Sequence, residues 1–356
     1  MGIYIYNFLS IPVYSKIFKR KIFIIIVSIQ MFLILALRAD NLGVDLLTYS
    51  RGFEYISTLT ATEMLSKLNF IQTASLPYPF SFESGWVVLN WIIGKIGFSF
   101  HLILVLCAAM NIYAIGKFIY CYSKIPWLSF SIICSLGIYT YMFGILRQAL
   151  ALSFVLMSLM LADKRKLIKA IIILLLAFTI HRTAILGGLL LPFFKCDIIR
   201  KKRYLQIFMC WIPYFLLSGF IYRRVVSTIM LIFDQGYPEH GGQWNNLMTL
   251  LLVIVIGTIL FCDFSKIKGK MLIVSFWAEM FAVYLETMGM YNDNFARSIQ
   301  YYSIFIAIVI PYVLFNYSNK RTAFWAKGMI VILLFLFMIY TLQGSELVPY
   351  RILENL

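Results

Sequence analysis

Residues 19–45 read KRKIFIIIVSIQMFLILALRADNLGVD. Three bases precede an uncharged run from Ile22 to Leu37, and Arg38, Asp40 and Asp45 follow it. A membrane-spanning helix needs about 20 predominantly apolar residues. A strand of a membrane barrel would instead alternate over about 10 residues. The run from Ile22 to Leu37 does not alternate, so it reads as a helix in hydrocarbon. Similar runs recur at 98–121, 126–146, 147–163, 166–181, 182–195, 203–220, 246–263, 270–289, 297–316 and 323–342. Residues 2–18 are either a twelfth span or an interfacial helix broken at Pro12. Of 356 residues, 62% are hydrophobic and 13% charged. Soluble domains average about 45–50% apolar and about 25% charged, so a water-soluble domain is excluded. Disorder is excluded as well, because so much apolar surface needs burial. The expected fold is an all-α, polytopic transmembrane helical bundle of about 11–12 spans, forming a single membrane domain over 1–356.

The net charge of +16 is organised by these runs. Lys19–Lys21, Lys124, Lys164–Lys166, Arg200–Arg203, Lys266–Lys270 and Lys320-Arg321 all fall on one side if Ile22–Leu37 leaves the cytoplasm. Lys and Arg accumulate in cytoplasmic loops, which fixes the orientation. The charge is a topology signal, and nucleic acid is not an expected partner. The opposite, periplasmic side receives segments of about 38–97, 219–245 and 343–356. Arg38 argues against a cleaved leader, because small residues should precede a cut there. Six cysteines form no CxxC pair, none falls in an outer segment, and they read as reduced core residues. No phosphate loop, GxGxxG or HExxH is present. Neither a cofactor nor a metal is expected.

Charge deep in a bilayer costs several kcal/mol, so polar residues at the outer helix ends need a reason. Arg38 closes one run, Arg147-Gln148 opens another, His181-Arg182-Thr183 joins two more, and Arg297 opens a late one. Arg147 to Asp163 is about 24 Å of helix, and Lys166 back to His181 about 23 Å. The hairpin therefore returns His181 to the level of Arg147. Both lengths fall short of the roughly 30 Å hydrocarbon core, so the polar ends should line an outward-facing polar cavity. Outward bases are mostly Arg, whereas inward ones are mostly Lys. Guanidinium forks bind phosphate and carboxylate bidentately; alternatively, these arginines snorkel to lipid headgroups. Glu279 and Glu286 share a helix face and could pair with an arginine or form a proton path. Ile221, Val225, Ile229 and Ile232 recur at helical spacing and suggest an interfacial periplasmic helix. Residues 234–242, rich in Gly and polar groups, follow as a loop or a lid. Tyr49, Tyr78, Trp86 and Tyr301 are candidate stacking faces for sugars.

The ordered set Arg38-x4-Gly43-x-Asp45-x3-Tyr49, Glu83, Leu146-Arg147-Gln148-x2-Ala151, His181-x-Thr183-Ala184, Arg297 with Tyr301-Tyr302 and Pro311, and Pro349-Tyr350 resembles the EpsG-type polysaccharide polymerases, which include many bacterial O-antigen polymerases (Wzy). The resemblance covers nearly the whole chain. Val44 and Thr183 depart from it mildly. It implies a glycosyltransferase of the bacterial inner membrane that acts in polysaccharide or lipopolysaccharide biosynthesis. On the periplasmic face it would transfer a growing glycan from undecaprenyl pyrophosphate to a lipid-linked repeat unit. Arg147 and Arg297, supported by Arg38, would hold the pyrophosphate. Asp45, His181 and Glu83 compete as general base. Gln148, Tyr49 and Tyr301 are candidates for sugar contact. Its partners would be the undecaprenyl-pyrophosphate-linked oligosaccharide and membrane lipid, with a chain-length regulator protein as one more to test. The competing readings are a flippase or transporter of lipid-linked oligosaccharide, and an O-antigen ligase or membrane acyltransferase.

Overall fold

A computed structural model describes residues 1–226 and 242–353. Among them the regular structure is helical, with two isolated bridges, Arg38 to Ile352 and Thr73 to Glu83. The chain forms two compact units, Met1–Gly188 with Gly328–Leu356, and Leu189–Lys327.

In the first unit, α1 (Gly2–Ile17) continues through Pro12 as one helix. It is followed by α2 (Arg20–Ala36), α3 (Leu46–Thr58), α4 (Ala61–Lys67), α5 (Ser84–Lys95), α6 (Phe100–Tyr122), α7 (Pro126–Ser135), α8 (Ile138–Gly144), α9 (Leu146–Asp163), α10 (Leu167–Ile180) and α11 (Ala184–Gly188). Helices α9 and α10 pack as a hairpin, where the Ser158 hydroxyl donates to the Ala170 carbonyl at 2.7 Å. At one end of this unit Arg20 donates to the carbonyls of Tyr120 and Ser123 at 2.9 and 2.8 Å. Beside it, the Tyr122 hydroxyl donates to Asp163 at 2.9 Å. Three basic clusters that the charge pattern assigns to one side are thereby joined at one end. The segment after α2, the start of α9 and the end of α10 make up the opposite end, and segment 38–97 folds there into α3, α4 and α5.

The second unit contains α12 (Lys201–Ile221), α13 (Asn246–Phe261), α14 (Lys270–Gly289), α15 (Asp293–Ser298), α16 (Gln300–Ser303) and α17 (Ile306–Asn316); α18 (Lys320–Leu342) crosses the division between units. Helix α14 is the buried element of this unit. Glu279 on it accepts from the hydroxyls of Tyr204 and Thr258, both at 2.8 Å, and Glu286 accepts from the Asn245 amide at 2.7 Å. Neither carboxyl forms an ion pair among the described residues. Only the first turn, Tyr222–Val226, of the expected interfacial helix is described. Ile229, Ile232 and most of the following loop lie outside the described residues.

Each apolar run read from the sequence contains helix. Among the described residues, five helices could each cross a membrane by length and composition, and seven if the bent pairs 126–144 and 293–316 each count as one span. The remaining runs yield shorter helices, such as the 14 residues of Leu167–Ile180. That is about 21 Å at helical rise. Other expected spans, such as the 17 residues of Arg20–Ala36 and the 16 of Asn246–Phe261, are likewise shorter apolar helices. The protein is a polytopic helical bundle.

One close approach positions the polar end. A Cβ on Gly85, in the first turn of α5, would sit 2.4 Å from the Thr179 hydroxyl in the last turn of α10. Only glycine lets these helix ends touch. Gly85→Ala should lower the melting temperature of the detergent-purified protein, since overpacking costs about 1–3 kcal/mol. Gly257→Ala, where a Cβ meets open space, should be neutral or stabilising by about 0.5–1 kcal/mol. Equal melting temperatures for the two variants would contradict this account of the α5–α10 contact.

Candidate functional site

Glu83 precedes α5 in extended conformation and does not cap its own helix. The backbone bridge to Thr73 holds it, and its side chain turns toward α9 and α10. There Oε1 accepts from His181 Nδ1 at 2.8 Å and from the Arg182 backbone N–H at 3.2 Å. Oε2 accepts from Arg147 Nη1. The same Nη1 donates to the Ser81 carbonyl at 2.8 Å. His181 ends α10 in extended conformation, which frees its imidazole to meet Glu83. Because Arg147 lies in the first turn of α9, its cation faces the positive end of the helix dipole. Glu83 offsets that repulsion.

An aromatic floor lies under the guanidinium. Its carbon is 5.0 Å from the Phe82 ring centre and 5.6 Å from that of Tyr49. Tyr49 packs in turn on Phe82 and Trp86, with ring centres 5.8 and 5.4 Å apart. The side chain of Glu83 is 5% exposed, while those of Arg147 and His181 are 17% and 21% exposed. The carboxylate is therefore the buried hub, and the cation and imidazole reach the surface around it. Burial alone would raise the Glu83 pKa. The charge of Arg147, the bond from His181 and the Arg182 N–H outweigh it and hold the carboxyl well below the usual range.

The other expected residues are placed as follows. Arg38 is 1% exposed. Its guanidinium donates to the carbonyls of Leu35 and Met142 and stands 5.3 Å from the Phe143 ring centre. Buried in this way, it ties the end of α2 to the end of α8. Beside it Gly43, at φ +146°, lies so close to Phe143 and Gly144 that a Cβ would be 2.4 Å from the Phe143 carbonyl oxygen. Tyr49 is buried, so its ring supports Arg147 and offers no open face to a sugar. Gln148 is buried on α9. Asp45 is half-buried at the start of α3, one turn before Tyr49. Tyr78 is fully open and Trp86 fully buried. Arg297, in the last turn of α15, and buried Tyr301, in α16, belong to the second unit.

The structure thus joins Glu83, Arg147 and His181 directly. It adds two groups that the sequence reading did not select, the Ser81 carbonyl and the Arg182 backbone. The adjacency of Arg182 to His181 was the available signal; Ser81 gave none, because its contribution is a main-chain atom. It also pairs His101 with Asp40, at 2.6 Å from Nδ1 to Oδ1.

A depressed carboxyl has a defined pH signature. The Glu83 pKa is lower folded than unfolded, so its stabilisation is complete above the ordinary glutamate range. It is lost as pH falls through the folded value. Glu83→Gln should lower the melting temperature most at neutral pH, because removing one partner of a buried pair costs about 3–5 kcal/mol. The gap from wild type should narrow as pH falls below about 4. A gap that stays constant with pH would contradict the ionised hub.

Comparison with known families matches residues 21–352 to the EpsG family. No curated protein and no solved structure matches the chain. The matched segment runs from the first basic cluster through the Glu83–Arg147–His181 site to the C-terminal segment paired with Arg38, and the chain belongs to the EpsG family.

Proposed function

We propose that the protein is a polysaccharide polymerase that joins lipid-linked repeat units, transferring a growing glycan from undecaprenyl pyrophosphate on the periplasmic face of the inner membrane. Membership of the EpsG family supports the reaction class. The observation that carries the reading is Arg147, a surface-reaching cation held by a buried, ionised carboxylate over an aromatic floor.

In the reaction the bond between the donor sugar's anomeric carbon and the pyrophosphate oxygen breaks. A new bond forms from the anomeric carbon to an acceptor hydroxyl, whose proton leaves to a base. Charge grows on the pyrophosphate. A guanidinium fixed beforehand in a partly dry site stabilises that charge without reorganising. Nη1 is engaged by Glu83 and Ser81, so the guanidinium is fixed in orientation before a phosphate reaches its open edge. Glu83 positions Arg147 in this scheme and is not the base, since it is nearly buried and its carboxyl is held well below the usual range. Arg297, in the second unit, remains a second candidate for the pyrophosphate, and Asp45 and His181 remain candidates for the base. Transport of the same lipid-linked substrate is the second reading. It draws on Glu279, a fully buried carboxyl within a membrane-length helix.

Proteoliposomes supplied with lipid-linked repeat units test the two readings. Wild type should yield a ladder of glycan lengths without net movement of substrate across the bilayer. Arg147→Ala should slow polymerisation about 10²–10³-fold, the loss typical of one oxyanion-stabilising donor. Arg147→Lys should fall between, because it keeps the charge and loses the fork. Substrate flux without chain growth would favour transport, and a normal ladder from folded Arg147→Ala would remove the role given to that residue.

A further inference from the structure

The acceptor hydroxyl needs a base, and the polar end of the first unit holds a second histidine–carboxylate pair. His101 lies in the first turn of α6, and its Nδ1 is 2.6 Å from Asp40 Oδ1. An ionised carboxylate only accepts, so the ring proton sits on Nδ1 and the lone pair on Nε2. The imidazole is 17% exposed and Asp40 40% exposed, so the pair is at the surface. Two residues before Asp40, Arg38 is locked into the C-terminal segment, and Ala39 N–H donates to the Arg351 carbonyl at 2.9 Å. Three residues after Asp40, Gly43 rests on the backbone of Phe143 and Gly144, just ahead of Arg147. The loop that presents Asp40 is therefore held on both sides.

Helix α3 links this pair to Arg147. Tyr49 lies under the guanidinium. Phe53, one turn further along, meets Phe100 with ring centres 6.0 Å apart, and His101 is the next residue. Tyr49 and Phe53 lie one turn apart on α3, so the helix that supports the guanidinium also packs against the first turn of α6, which carries His101.

The two histidines differ in their carboxylates. His181 shares Glu83 with Arg147 and the Arg182 N–H. Among the described residues Asp40 forms its ion pair with His101 alone. We propose that His101 is the general base of the polymerisation, with Asp40 as its positioning residue. This rests on the polymerase reading. The acceptor O–H gives its proton to His101 Nε2 as its oxygen bonds to the donor's anomeric carbon. The electron pair of the broken C–O bond leaves on the pyrophosphate, and the imidazolium then returns the proton to solvent.

Steady-state kinetics in proteoliposomes with lipid-linked repeat units, with fold checked by melting temperature, tests the assignment. His101→Gln, which keeps the shape and loses the basic nitrogen, should lower kcat about 10²–10⁴-fold and leave KM within about twofold. His101→Gly should be equally slow and should recover when imidazole is added, which a purely structural role would not allow. Asp40→Asn should lower kcat by more than tenfold, again with little change in KM, since the amide no longer enforces one tautomer. Wild-type kcat in His101→Gln, or a loss in His101→Gly that imidazole does not restore, overturns the proposal. The polymerase reading survives either result as long as wild type makes polymer and Arg147→Ala does not. A wild-type protein that makes no polymer overturns both.

Discussion

The polar end of the first unit depends on one buried carboxylate. Glu83 satisfies a guanidinium, an imidazole and a backbone N–H at once. Each of these comes from a helix end that would otherwise present an unmatched polar group to an apolar surrounding. A buried charge without partners is costly, and a buried charge fully engaged becomes a geometric anchor. The start of α5, the start of α9 and the end of α10 meet where Glu83 requires, and Gly85 removes the one side chain that would keep α5 from α10. The aromatic floor of Tyr49, Phe82 and Trp86 fills the space beneath and limits the guanidinium to a few orientations.

A hub of this kind fixes the cation at its rim. Glu83 is largely buried, whereas Arg147 keeps part of its surface open. The ionised carboxylate therefore orients the guanidinium without using all of its donors. Glu83 and Arg147 carry opposite charges, and of the two it is the guanidinium that reaches the surface. In the proposed reaction that guanidinium is the group a departing pyrophosphate would meet. The second unit handles its carboxyls differently: Glu279 and Glu286 are held by hydroxyls and an amide, not by cations.

Much of this was legible from residue order and helical rise. The equal lengths from Arg147 to Asp163 and from Lys166 to His181 predicted that Arg147 and His181 would share a level. The basic clusters predicted the opposite end, which the contacts of Arg20 and the Tyr122–Asp163 bond confirm. What remained hidden turns on side-chain direction and main-chain atoms. Arg38 looked like a cavity cation, yet the C-terminal segment pairs with its backbone and its side chain is buried. Tyr49 looked like a sugar platform, yet Arg147 occupies its face. His101 opens an apolar helix and has no charged residue beside it in sequence, so only the folded loop reveals Asp40 as its partner. Hydropathy registers an apolar run without registering the bends inside 126–144 and 293–316.

The central claim is that Glu83 holds Arg147 as a pyrophosphate ligand. The direct measurement is equilibrium binding of a short polyprenyl pyrophosphate to the detergent-purified protein, in a double-mutant cycle of Glu83→Gln and Arg147→Ala. The account predicts that Arg147→Ala weakens binding at least tenfold. It also predicts that Glu83→Gln weakens binding in the wild-type background and has little further effect once Arg147 is gone, since both act through one guanidinium. Unchanged affinity in Arg147→Ala, or strictly additive losses in the double variant, would contradict it.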